Sequence, residues 1–224
     1  MGCNNNNNNN NNSEPKYKLF YHGEDESTEA FITARHLEPD AKNPYLASIA
    51  TRKQLLANQD NRSTVHVEFD IKGSKVKYEA GDHLAILAEN RADLVEAYMR
   101  KMKVWDERFK VVALMHKDGK KGNHFPKKTN LKNVFTYFMD LNAVPRKKML
   151  KAFATYATDT EQSEYLKLLA SNTTEGKHEY NRFVQSECRN TLEVLEHLSS
   201  VNVPLDHFLE LMPKLQPRYY SIAS

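Results

Sequence analysis

An α+β fold, with a helical block set inside a β-rich one, is predicted by three features of this sequence. Apolar and polar residues alternate between residues 65 and 87, the pattern of half-buried strands. From about residue 92 to 211 the apolar spacing changes to that of amphipathic helices. A short strand-like run, residues 218–223, then follows the helices, so the helical block reads as an insertion within a β-domain.

Residues 1–15 hold nine consecutive asparagines, Asn4 to Asn12, a low-complexity tail with no packing role. Residues 16–43 read as a linker, although 17–22 is an aromatic-apolar run with strand character and 39–44 is rich in turn formers. Residues 44–88 form the first β-block. Val65, Val67, Phe69 and Ile71 alternate with His66, Glu68 and Asp70. Gly73-Ser74 then supplies a turn, and residues 76–79 alternate again, which predicts an antiparallel hairpin. Gly81-Asp82 marks a second turn before a strand at 83–87.

Residues 89–212 form the helical block. A first helix is expected over 92–104, and 116–128 is a basic loop with five lysines and two histidines. Thr129 is placed to cap a helix whose Leu131, Val134, Phe135 and Phe138 share a face. Pro145 suits the first position of another helix, where its missing N–H costs nothing. Thr158 and Glu161 have the spacing of a capping box, and further helices are expected over 177–198 and 205–211. Pro213 ends the last of these, and residues 213–224 return to strand.

Composition excludes several functions. A chain of 224 residues can hold one large domain or two small ones. Its 32 basic residues nearly balance 29 acidic ones, so the net charge of +3 gives no electrostatic case for nucleic acid. No run of 18 apolar residues is present, and the start resembles no secretory signal. Gly2-Cys3 lacks the Ser or Thr at position 6 that myristoylation favours. Two cysteines, Cys3 and Cys188, make neither a disulfide framework nor a four-ligand zinc site, which suits a reducing, cytoplasmic setting. No metal-ligand spacing, glycine-rich phosphate loop or nucleophile elbow is found.

One segment carries chemistry, Arg218-Tyr219-Tyr220-Ser221. Arg gives forked, charge-assisted bonds to phosphate. Tyr offers a plate for a flat ring system with a polar tip. On a strand, Arg218 and Tyr220 share one face and Tyr219 and Ser221 the other. Taken alone, the run is equally an edge strand with two packed tyrosines.

Dispersed blocks in a fixed order add a resemblance. The segments 39–44 (PDAKNP), 66–71 (HVEFDI), 78–83 (YEAGDH), 175–177 (EGK), 204–207 (PLDH) and 215–224 (LQPRYYSIAS) are similar to stretches of the cytochrome P450 reductase family of diflavin reductases. The resemblance implies a partial antiparallel β-barrel of a ferredoxin-reductase-type FAD domain, interrupted by a helical connecting domain. It implies an FMN domain before this region and an NADPH domain after it. Electrons would pass from NADPH through FAD and FMN to a haem protein such as cytochrome P450. Relatives are often anchored to the endoplasmic reticulum facing the cytosol.

By the same resemblance, Arg218 would hold an FAD phosphate, Tyr220 would stack on the flavin and Ser221 would lie near its reactive nitrogen. Tyr219 would contact the cofactor through its backbone. Lys53 aligns with a basic residue that helps to bind NADPH. A second FAD-phosphate arginine aligns with the segment Glu187-Cys188-Arg189; an ungapped match puts it at Cys188, and Arg189 is the basic residue there. The lysines of 116–128 are either a solvated loop or a docking surface for an acidic FMN domain or redox partner. With FMN and NADPH domains not visible, the chain alone is expected neither to bind FAD tightly nor to transfer hydride. The other functional reading is a non-catalytic helical interaction module, or a truncated homologue without flavin activity.

Overall fold

The computed structural model describes residues 15–24, 44–56, 63–118 and 129–223. The asparagine-rich start with Cys3, most of the turn-rich segment 39–44, the basic residues 119–128 and Ser224 lie outside the described residues. The chain divides into two compact units.

The helical unit spans residues 1–30 and 87–216. Its sheet is β1 (Tyr17–Glu24), β5 (Lys110–His116) and β6 (Thr129–Asn130), in the order β1-β5-β6. The strand character of residues 17–22 is thus realised as an antiparallel partner of β5, Leu19 opposite Leu114 and Tyr21 opposite Val112. The backbone amide of Lys16 adds a hydrogen bond of 2.6 Å to Glu210 Oε2.

The helices are α1 (Ala92–Lys101), α2 (Leu131–Asn133), α3 (Lys147–Ala154), α4 (Thr160–Ala170), α5 (Thr174–Tyr180), α6 (Thr191–His197) and α7 (Leu205–Leu211). Two of them continue as π-helical turns, α2 into Val134–Phe138 and α5 into Asn181–Gln185. Their apolar faces meet in one core, where Tyr98, Phe135, Phe153, Leu150, Leu166 and Phe208 are fully buried. Phe135 stacks on Phe208 with centroids 6.3 Å apart.

Two buried polar side chains hold this core in register. Asn90 donates to the carbonyls of Phe135 (2.8 Å) and Met139 (2.7 Å), and its own amide donates to Thr136 (2.9 Å). It therefore satisfies carbonyls at and just past the first π-helical turn. The Tyr98 hydroxyl donates to the Leu141 carbonyl (2.8 Å) and accepts from the Leu192 amide (2.9 Å), linking α1, the 139–146 loop and the start of α6. The chain's one tryptophan, Trp105, has the guanidinium groups of Arg100 (5.0 Å) and Arg108 (4.9 Å) over its ring.

Several helix starts differ from the sequence reading by a residue or two, each for a local reason. Asn130 rather than Thr129 caps α2, because Thr129 pairs with Val112 in β6 while Asn130 Oδ1 accepts the Asn133 amide at 2.8 Å. Pro145 stands before the cap residue Arg146, and its carbonyl accepts the Tyr180 hydroxyl at 3.0 Å. Asp159 rather than Thr158 caps α4, with Oδ1 2.8 Å from the Gln162 amide; the Thr158 amide is drawn to the Ser200 carbonyl. The helix expected over 177–198 is broken in two. Cys188 has φ 49, and a capping box of Asn190 and Glu193 then opens α6. Gly176 is dictated by space, since a Cβ there would stand 2.0 Å from Ser171 Oγ and 2.4 Å from the Leu168 carbonyl oxygen.

The second unit spans residues 31–86 and 217–224. It holds two separate two-stranded sheets: β2 (Ser48–Gln54) with β3 (Val65–Asp70), and β4 (His83–Ile86) with β7 (Arg218–Ser221), both antiparallel. The hairpin expected between 65–71 and 76–79 does not form. The Ser74 amide closes a turn onto the Ile71 carbonyl and the Ser74 hydroxyl takes the Val76 amide, so β3 pairs with β2 instead. Among the described residues the fold is a mix of helices and small antiparallel sheets, and none of the sheets closes into a barrel. No helix there is long and apolar enough to cross a membrane.

Candidate functional site

The four motif residues occupy the whole of β7 and are all exposed. Their partners on β4 fix which way they face: Arg218 stands opposite Ile86, Tyr219 opposite Ala85, Tyr220 opposite Leu84 and Ser221 opposite His83. Residues directly opposite in an antiparallel pair share a face. One face of the ribbon thus carries Arg218 and Tyr220 with the half-buried Leu84 and Ile86; the other carries Tyr219 and Ser221 with the exposed Ala85 and His83.

A turn locks this register just past Ser221. The Gly81 amide donates to the Ile222 carbonyl (3.0 Å) and the Ile222 amide to the Asp82 carbonyl (2.7 Å). The turn itself is closed twice, by the Asp82 amide on the Glu79 carbonyl (3.0 Å) and the Glu79 amide on Asp82 Oδ2 (2.8 Å). Gly81 has φ 94, a left-handed conformation that a side chain would strain. The segment Glu79-Ala80-Gly81-Asp82 is therefore a clamp on the end of β7. The sequence reading recognised it as a turn but not as part of the site.

The face so built is unspent. Among the described residues Arg218 makes no ion pair, and Tyr219 and Tyr220 are 66% and 51% exposed. A free guanidinium and a free phenol ring on one face of a strand suit a ligand that is anionic at one end and flat and aromatic at the other.

The other expected site residues lie elsewhere. Lys53 is on β2 opposite His66, on a polar face shared with Thr51 and Glu68. His66 Nε2 lies 2.9 Å from Glu68 Oε1, and that contact, with a bond from Thr51, holds the Glu68 carboxyl below its ordinary range. Arg189 belongs to the helical unit, where its guanidinium packs over Phe183 at 4.3 Å and lies 3.9 Å from Glu187. Cys188, the ungapped match, is exposed. Among the described residues no group of three His, Cys, Asp or Glu side chains could hold a metal ion.

Residues 38–224 match the family described as "FAD binding domain". The chain is 40% identical over 188 residues to NADPH–cytochrome P450 reductase of Musca domestica, covering 83% of this chain and 27% of that protein. It is 40% identical over 186 residues to the protein of that name in Drosophila melanogaster, again over 83% of this chain and 27% of the relative. For the Homo sapiens protein the figures are 36% over 185 residues, 83% and 27%. The chain thus spans roughly a quarter of the length of these relatives, 27% in each case.

Proposed function

Since this chain belongs to the FAD-binding domain family, we propose that its β7 face holds FAD within an NADPH-dependent diflavin oxidoreductase. One observation carries the assignment: Arg218, in no ion pair among the described residues, and the exposed Tyr220 share one face of a strand whose register is clamped just past Ser221. In that reading residues 44–88 and 213–224 contribute strands to a ferredoxin-reductase-type barrel. Residues 89–212 are a helical connecting domain inserted between them.

Arg218 supplies a fixed positive charge to a phosphate, and Tyr220 covers one side of the ring system. Ser221, turned to the opposite face, offers a hydroxyl, and Tyr219 contributes its backbone. Lys53, exposed beside Arg52 and free of any ion pair among the described residues, supplies positive charge for NADPH. We leave Arg189 out of the flavin assignment because it belongs to the helical unit and not to the one that bears β7. Bound FAD would accept a hydride from NADPH and release the two electrons singly, through FMN, to a haem protein. The relatives carry the name NADPH–cytochrome P450 reductase, which supports a cytochrome P450 as acceptor. A cytoplasmic location belongs to the same reading.

FAD titration tests this directly, read by quenching of flavin fluorescence. Arg218→Ala should weaken binding by about 10- to 100-fold, the loss of charge-assisted bonds worth about 1.5–3 kcal/mol. Tyr220→Ala should weaken it by about tenfold. Equal affinity in both variants and the parent protein would remove β7 from the flavin site.

A further inference from the structure

We propose that Asp82, in the turn before β4 and outside the motif, is a positioning residue for β7: its carboxylate keeps that turn in the shape that clasps Ile222. This role rests on the flavin reading of the β7 face and extends it to a residue that touches no ligand.

β7 has little of its own to hold it. All four of its residues are exposed, so none of them is driven to one place by burial. The strand also returns to its unit only after residues 87–216, which belong to the helical unit, so no short hairpin loop ties it to β4. β4 is better held, because Leu84 and Ile86 are half-buried. Past Ser221 the chain regains a half-buried side chain at Ile222. β7 therefore takes its place from backbone pairing with β4 and from the residue at its end.

Two adjacent residues grip both backbone groups of Ile222. Its carbonyl accepts the Gly81 amide at 3.0 Å, and its amide donates to the Asp82 carbonyl at 2.7 Å. Those two groups converge on one residue only while the turn keeps its shape. Residues 79 and 82 fix that shape by a double bond to each other: the Asp82 amide donates to the Glu79 carbonyl at 3.0 Å, and the Glu79 amide to Asp82 Oδ2 at 2.8 Å. The first is the ordinary closure of a four-residue turn; the second depends on the side chain. Gly81 stands between them at φ 94, and glycine leaves any one conformation more readily than other residues do. The carboxylate is thus the one side chain among these bonds, and alanine has no acceptor to replace it.

Support for the flavin face then runs from Leu84 and Ile86 along β4 to Asp82, across to Ile222, and back along β7 to Tyr220 and Arg218. With the carboxylate removed, the end of β7 lifts from β4 more often. Affinity for FAD falls by the fraction of molecules whose strand is unseated.

Amide exchange of the full chain, read by NMR without flavin, is the first test. Asp82→Ala should speed exchange at Ile222 by about tenfold, while the amides of β2 and β3, in a separate sheet, keep their parent rates. The second test is FAD titration. Asp82→Ala should weaken FAD about tenfold with Arg218 and Tyr220 intact, and Asp82→Asn, which keeps an acceptor oxygen, should stay within about twofold of the parent on both readouts. Unchanged Ile222 exchange in Asp82→Ala overturns the role, as does a loss in Asp82→Asn as large as in Asp82→Ala. Faster exchange throughout β2 and β3 also overturns it, since Asp82 would then support the whole unit rather than seat one strand. Arg218→Ala tells the two readings apart. If it weakens FAD and Asp82→Ala does not, the positioning role fails alone; if neither weakens FAD, the flavin reading fails, and this role in flavin binding with it.

Discussion

His207 shows how much a single side chain can decide. It is 3% exposed, and its Nδ1 lies 2.7 Å from the Tyr156 hydroxyl. Burial lowers its pKa; Asp206 and Glu210 pull the other way, while Lys117 and Lys148 add to the depression. The folded protein therefore holds the ring neutral at a pH where the unfolded chain, titrating near 6.5, already takes up a proton. The resulting stability is full above about pH 6.5 and is lost as the pH falls through the lowered folded value. Chemical denaturation at pH 7.5 and 5.5 should show a larger acid loss for the parent protein than for His207→Gln; parallel losses would exclude His207 as the source. Little of this was legible in the sequence, where His207 was one of nine scattered histidines. Arg189 was read from the resemblance as a candidate phosphate contact, and its packing on Phe183 was not legible, because that ring lies six residues away across a π-helical turn.

At the scale of elements, helix faces were readable and helix ends less so. Leu131, Val134, Phe135 and Phe138 fall on one buried face as their spacing requires, since core burial follows side-chain periodicity. The ends depend on which of two adjacent polar residues reaches an amide, and tertiary pairing decides that. Thr129 was lost to a strand and Thr158 to the Ser200 carbonyl. The break at Cys188 carries no glycine or proline, and the signal beside it, Asn190 followed three residues on by Glu193, was passed over. At α6 the capping box is complete, Asn190 Oδ1 accepting the Glu193 amide at 3.1 Å and Glu193 Oε2 the Asn190 amide at 2.7 Å. Asn190→Ala should cost about 1 kcal/mol, measured by urea denaturation, and a change within error would show that packing alone sets the start of α6. The β-block misled for a related reason. Alternation identified β3 correctly but not its partner, because a period of two says which face is apolar and nothing about which strand lies alongside.

Across the whole molecule the two units differ in how much they bury. The helical unit has a contiguous core, whereas no described residue of the other unit is fully buried. Its exposed apolar residues include Leu46, Ile49, Leu55 and Tyr78, at 61%, 58%, 56% and 47%. Local stability tracks buried apolar contact, so amides in β2, β3, β4 and β7 should exchange with solvent faster than those of α1, α4 and α6. Equal protection in the two sets, read by mass spectrometry after deuterium labelling, would contradict this. The contact of Trp105 with Arg100 and Arg108 then acquires an optical meaning. The chain's only indole belongs to the helical unit, so its emission is a dedicated gauge of that unit. Indole emission followed through a melt therefore reports the unfolding of the helical unit without any added label.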